Sequence, residues 1–125
     1  MIVIWVAVAG GFGAVSRFLL DGVLRARLPG RFPVGTMVIN LSGSLLLGLV
    51  MGMALGGLVA ERSQLIVGTG FLGGYTTFSA ASLETVRLLR ERRLVAALIN
   101  GLGMLVASVA LAGVGLWVGA GWGAR

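Results

Sequence analysis

The sequence predicts an all-α integral membrane protein with four transmembrane helices, and three observations carry that reading. The 125 residues are 58% hydrophobic and only 11% charged, with mean hydropathy +1.03, far from the composition of soluble domains. The uncharged stretches 1–16, 34–60, 63–83 and 94–124 approach or exceed the roughly 20 residues that cross a bilayer as a helix. The acids Asp21, Glu61, Glu84 and Glu91 fall at the ends of these stretches, and both prolines, Pro29 and Pro33, lie in the first connection, where they interrupt no helix. One domain over 1–125 accounts for the chain, with no room for a soluble one.

Span one is expected over about 2–20. It lacks the basic start of a signal peptide, and Arg17 and Asp21 stand where a small-residue cleavage site would be needed, so it reads as a retained helix. Span two, about 34–58, places Thr36, Asn40 and Ser44 four apart on one face, which continues into Gly48, Gly52 and Gly56. Glycines at that spacing let helix backbones approach closely in lipid. The polar stripe has two readings, interhelical hydrogen bonding or the wall of a conduit.

Span three, about 63–88, is the unusual one. Its run "GFLGGYTTFSAAS" (70–82) gathers three glycines and five hydroxyl-bearing side chains where leucines would be ordinary. Gly73 and Gly74 each disfavour helix by roughly 1 kcal/mol relative to alanine, and Tyr75, Thr76 and Thr77 add no compensating preference. A mid-membrane break near 73–77 follows. Freed carbonyls in lipid must be met by protein, water or an ion, so the break is a candidate ion site, the alternative being a simple glycine-packed helix. Span four, about 94–119, carries Asn100 and Ser108 on one face with Met104 between them, and Gly115, Gly119 and Gly123 at four-residue spacing.

The net charge of +6 comes from ten arginines and four acids. Arg17, Arg25, Arg27, Arg31, Arg87, Arg90, Arg92 and Arg93 flank the first and third connections, against only Arg62 and Arg125 on the other side. Eight against two is the signature of membrane orientation and not of nucleic-acid binding; it predicts those connections in the cytoplasm and both termini outside. Trp5, Trp117 and Trp122 then belong to an outer aromatic belt. Cysteine and histidine are missing, which removes disulfides and the usual zinc sites. No carboxylate lies within a span interior, which argues against a proton-coupled drug exporter. No nucleophile, base and orienting group can be assembled, so no enzyme is expected.

The runs "GGFGAVSRF" (10–18), "GTMVINLSGSLLLG" (35–48) and "GFLGGYTTFSAAS" together resemble the CrcB family, the Fluc fluoride channels, over the whole chain in length, span count and motif order. The resemblance implies an antiparallel dimer of four-span subunits with two fluoride pathways and a structural sodium ion at the dimer centre. It implies that the backbone carbonyls of Gly73 and Thr76 hold the sodium. Asn40, Thr77, Phe78, Ser79 and Ser108 are then expected along the fluoride pathway, with Arg17 in a structural role. Fluoride is small and strongly hydrated, so amide and hydroxyl donors must replace its water, and a ring edge such as that of Phe78 carries partial positive charge.

The chain departs from the family pattern where a second phenylalanine and a hydroxyl are usual, at Ala81 and Ala80, and at Asn100 and Met104, which stand for a tyrosine and a serine. The expected function is passive fluoride export across the cell inner membrane, conferring fluoride resistance. The membrane potential drives an anion outward by about 2.3 kcal/mol per charge per 100 mV. Two alternatives stay open: a fixed-orientation subunit of a heterodimeric channel with one partly degenerate pore, which the arginine bias favours, and a non-conducting assembly protein. The dimer partner is accordingly either a second copy or a related chain.

Overall fold

The computed structural model describes Met1–Arg125, and every regular element in it is helical. We number the elements α1 (Ile2–Arg27), α2 (Val34–Leu55), α3 (61–75), α4 (Phe78–Arg90) and α5 (Leu94–Gly123). Three of them, α1, α2 and α5, are long and apolar enough to cross a membrane. Helix α1 runs seven residues past the expected end at 20. Arg25 and Arg27 lie in its last turn, where cations complement the helix dipole, and it stops just before Pro29.

Two turns end in the left-handed backbone region. Gly57 (φ 76°) follows α2, and its N–H donates to Ala54 O while that of Leu58 reaches Met53 O. Arg92 (φ 57°) closes α4 the same way, with its own N–H on Leu89 O and that of Arg93 on Leu88 O. This is the Schellman closure, for which glycine is the natural residue and arginine is strained.

Two helices widen by one residue per turn, over Leu65–Leu72 in α3 and Ile99–Gly103 in α5. Such π-type turns rotate the residues that follow and concentrate at functional sites. The second one contains Asn100, whose side chain is completely buried.

The helices pair through their glycines. A Cβ added at Gly48 would strike the backbone of Ala112, one at Gly52 the backbone of Leu116 and Ala120, and one at Gly56 that of Gly123. Helices α2 and α5 therefore run parallel and in backbone contact, the arrangement that small residues every four positions permit in lipid. A second pair forms between α1 and α3, where Gly13 meets Phe71 O, Gly74 meets Gly10, and a Cβ on Gly70 would lie 2.8 Å from Val6 O.

These contacts fix the ends of the bundle. The start of α1 and the ends of α2 and α5 share one end, which also carries the exposed Trp5, Trp117 and Trp122. At the opposite end Arg25 of α1 donates to Glu84 of α4 (3.2 Å) and to Asp21 (2.9 Å), while Thr36 of α2 donates to the same Glu84 oxygen (3.0 Å). The arginine-rich connections lie together there, around a cavity of about 590 Å³ lined by Arg25, Arg31, Arg87 and the acids Asp21, Glu84 and Glu91. Only 18 of the 125 residues are buried, so the chain alone is a thin bundle whose apolar side chains point mostly outward, as lipid or a partner subunit requires.

Candidate functional site

The site is built where the helix stops between Tyr75 and Phe78. Thr76 (φ −80°, ψ 159°) and Thr77 (φ −148°, ψ 121°) are extended, which ends α3 and begins α4 two residues later. Gly73 and Gly74 themselves stay helical. Gly74 serves close contact, and Gly73 is exposed with open space around it. The residues that leave the helix are the threonines, whose branched side chains tolerate extended backbone well.

Extended backbone between two helices leaves peptide groups unsatisfied, and one side chain answers most of that need. The amide of Asn40 clasps Thr77: its Nδ2 donates to Thr77 O at 2.8 Å, and the Thr77 N–H donates to its Oδ1 at 2.8 Å. Asn40 stands in for a missing β partner, satisfying donor and acceptor of one residue at once. The Thr77 hydroxyl then caps α4, accepting from the N–H of Ala80 at 3.3 Å, and lies 3.3 Å from Ser79 Oγ.

Redirecting those two N–H groups has a consequence for the carbonyls. In an unbroken helix Thr77 N–H would bond Gly73 O, and Ala80 N–H would bond Thr76 O. Here the first is held by Asn40 and the second by the Thr77 hydroxyl, so the carbonyls of Gly73 and Thr76 lose their helical donors. The end of α3 thus offers oxygens with partial negative charge, and the start of α4 offers N–H groups with partial positive charge. Arg17 Nε donates to Gly74 O at 3.3 Å, securing α1 to the last turn of α3. On the other side Ser42 Oγ lies 3.0 Å from Tyr75 OH and donates to Ile39 O, and Phe71 stacks on Tyr75 at 6.2 Å between centroids.

A cavity of about 520 Å³ opens beside the break, between α2, α4 and α5. Of the residues expected on a fluoride path, Asn40, Thr77, Phe78 and Ser108 line it, as do Thr76 and Ser44. Ser79 does not. It is exposed, one position round the helix from the cavity wall, and its hydroxyl faces Thr77. Arg17 stands apart from the cavity as a helix tie. Phe78 is 86% exposed, so its ring stands at the cavity rim with nothing of this chain covering it.

The polar stripe of α2 links the two cavities, since Thr36 lines the one at the arginine-rich end and Asn40 and Ser44 line the one at the break. Asn100, which the sequence places on one helix face with Ser108, forms a second amide station. Asn100 Nδ2 donates to Thr85 Oγ1 (2.8 Å) and Ala81 O (3.3 Å), and Thr85 Oγ1 donates to Ala81 O (2.8 Å). Ser82 and Thr85, which also line the cavity, were passed over because hydroxyls on an amphipathic helix end look like ordinary surface. Their four-residue spacing from Ala81 and Phe78 was the available signal.

The family model described as "CrcB-like protein, Camphor Resistance (CrcB)" matches residues 4–119. The chain is 54% identical over 119 residues to the "Fluoride-specific ion channel FluC 1" of Leifsonia xyli subsp. xyli, covering 95% of this chain and 87% of that one. It is 47% identical over 120 residues to "Fluoride-specific ion channel FluC 2" of Mycolicibacterium paratuberculosis, covering 94% and 92%. At 43% over 111 residues it also matches "Fluoride-specific ion channel FluC" of Pyrococcus furiosus, covering 88% and 89%.

Proposed function

Because the chain belongs to the CrcB family, we propose that it is a fluoride channel, a passive multi-pass membrane conduit and not an enzyme. The observation that carries the mechanism is the Asn40 clasp on Thr77, which holds a helix break open against a cavity lined with amide and hydroxyl groups. A dehydrating fluoride ion needs donors that neither bind it irreversibly nor charge the path, and Asn and Ser/Thr groups meet both demands. The positive end of α4 adds to them at no charge cost.

In this reading α3 and α4 together form the fourth crossing, broken mid-membrane, and the channel sits in the inner membrane. Two such subunits pair in antiparallel fashion. The exposed ring of Phe78 supports this, since a pathway along it requires a facing wall that this chain does not supply. The carbonyls of Gly73 and Thr76, stripped of their helical donors, fit a structural sodium ion at the centre of that dimer. When bound, sodium would neutralise those oxygens and tie the two breaks together. Asn40 and the Thr77 hydroxyl are the groups that hold the carbonyls in that state.

The purified chain reconstituted in liposomes should release fluoride and retain chloride, each followed with an ion-selective electrode. Fluoride release from the single chain makes the partner a second copy. Absence of flux that returns when a related, oppositely inserted subunit is added makes it that chain, the outcome that the eight-to-two arginine distribution favours. A folded dimer silent in both settings refutes the channel.

A further inference from the structure

Met104 occupies the contact on Asn40 that a permeating anion needs. It lies on α5 one turn after Asn100 and one turn before Ser108, is 7% exposed, and lines the cavity beside the break. The Asn40 amide nitrogen has two hydrogens. Thr77 O takes one at 2.8 Å, and Met104 Sδ stands 3.9 Å from the same nitrogen, within the range of an N–H···S hydrogen bond. The amide cannot turn over to release a donor, because Thr77 grips it through both N–H and C=O and a flip would set like against like. While the thioether stays in place, Asn40 has no hydrogen left for an ion.

The plug is built to move. A thioether is a weak acceptor on a chain with three soft torsions, whereas fluoride is a compact, strong acceptor. We propose that Met104 is a displaceable plug and a specificity-determining residue of this pathway, its sulfur holding the Asn40 amide until fluoride takes that place. The inference rests on the fluoride-channel reading. It also bears on selectivity: chloride accepts hydrogen bonds more weakly and needs more room, so it displaces the thioether less readily.

The test uses the full chain in liposomes, with fluoride and chloride efflux and a thermal melt recorded for each variant. Met104→Ala removes the plug and is expected to speed fluoride efflux about tenfold and to admit a chloride leak, although it leaves a packing void. Met104→Ile keeps the bulk but stiffens χ1 in a helix, and it should slow fluoride several-fold. Met104→Gln keeps length and flexibility, supplies a stronger acceptor for the Asn40 amide, and should also slow it. A merely structural residue gives the opposite order, with Ala impaired and Ile near wild type, and that order overturns the proposal. Wild-type fluoride flux unchanged by all three variants overturns the plug alone. A folded wild type that passes no fluoride overturns the channel reading and the plug with it.

Discussion

Replacing Asn40 by alanine removes both partners of Thr77 in one step. The two contacts, each 2.8 Å, satisfy a peptide N–H and a peptide C=O that have nowhere else to go, because the extended backbone has already left both helices. A hydrogen bond contributes about 1 kcal/mol net, but an orphaned buried group costs about 1–3 kcal/mol. Both contacts are partly buried, so about 1.5 kcal/mol each is appropriate, and Asn40→Ala should destabilise the fold by about 3 kcal/mol. The same change removes the amide donor from the cavity and should cut fluoride flux by about tenfold or more. Asn40→Asp separates the two effects, since it keeps the acceptor for Thr77 N–H yet opposes Thr77 O and incoming anions with a carboxylate. Denaturant unfolding in detergent gives the first quantity and liposome efflux the second. A stability change below about 0.5 kcal/mol, which is what an ordinary surface substitution gives, with wild-type flux would refute the clasp and the mechanism drawn from it.

Other outcomes follow from the same contacts. Arg92→Gly relieves a left-handed backbone (φ 57°) and should stabilise the fold by about 1 kcal/mol in thermal or denaturant melts, leaving flux unchanged. Gly48→Ala drives a methyl into the Ala112 backbone, which cannot yield cheaply, and should cost about 2–3 kcal/mol or the folded state itself. Gly113→Ala, where a Cβ meets nothing within the chain, should stabilise by about 0.5–1 kcal/mol; a loss there instead would mark that face as covered by the second subunit. On the proposed sodium site, exchanging sodium for N-methylglucamine during purification should lower the melting temperature of the protein, and an unchanged melt removes sodium from the mechanism.

The class of the protein and three of its helices could be read from the sequence because lipid imposes a simple rule, a long apolar run, which 2–27, 34–55 and 94–123 obey. The glycine ridges were equally readable: Gly48, Gly52 and Gly56 on α2 and Gly115, Gly119 and Gly123 on α5 turn out to face each other, since four-residue spacing states a helix face without help from tertiary structure. The stripe of Thr36, Asn40 and Ser44 was visible for the same reason. What it did was not, because a hydrogen-bonding partner 37 residues away carries no local signal. Asn40 looked equally like interhelical glue and like part of a conduit, and the structure shows one amide doing a backbone's work at Thr77 while lining a cavity.

The unread part has one physical cause, which is that local propensity does not say which residue among several poor helix formers will yield. Gly73 and Gly74 are weaker helix formers than threonine, and propensity alone assigns the departure to them. Packing decides otherwise. Gly74 is committed to the backbone of Gly10, where only a residue without a side chain fits, and that contact exists only while the segment stays helical. The departure therefore moves to the next residues free to leave, and Thr77 can do so because Asn40 and its own hydroxyl replace the lost helical bonds. The widened turn around Asn100 has the same character: no composition signal marks it, yet it buries that amide against Ala81 and Thr85 and aligns Met104 with Asn40. In both places a tertiary contact overrides a local preference, and in both the override puts a polar group into the cavity that an ion would cross.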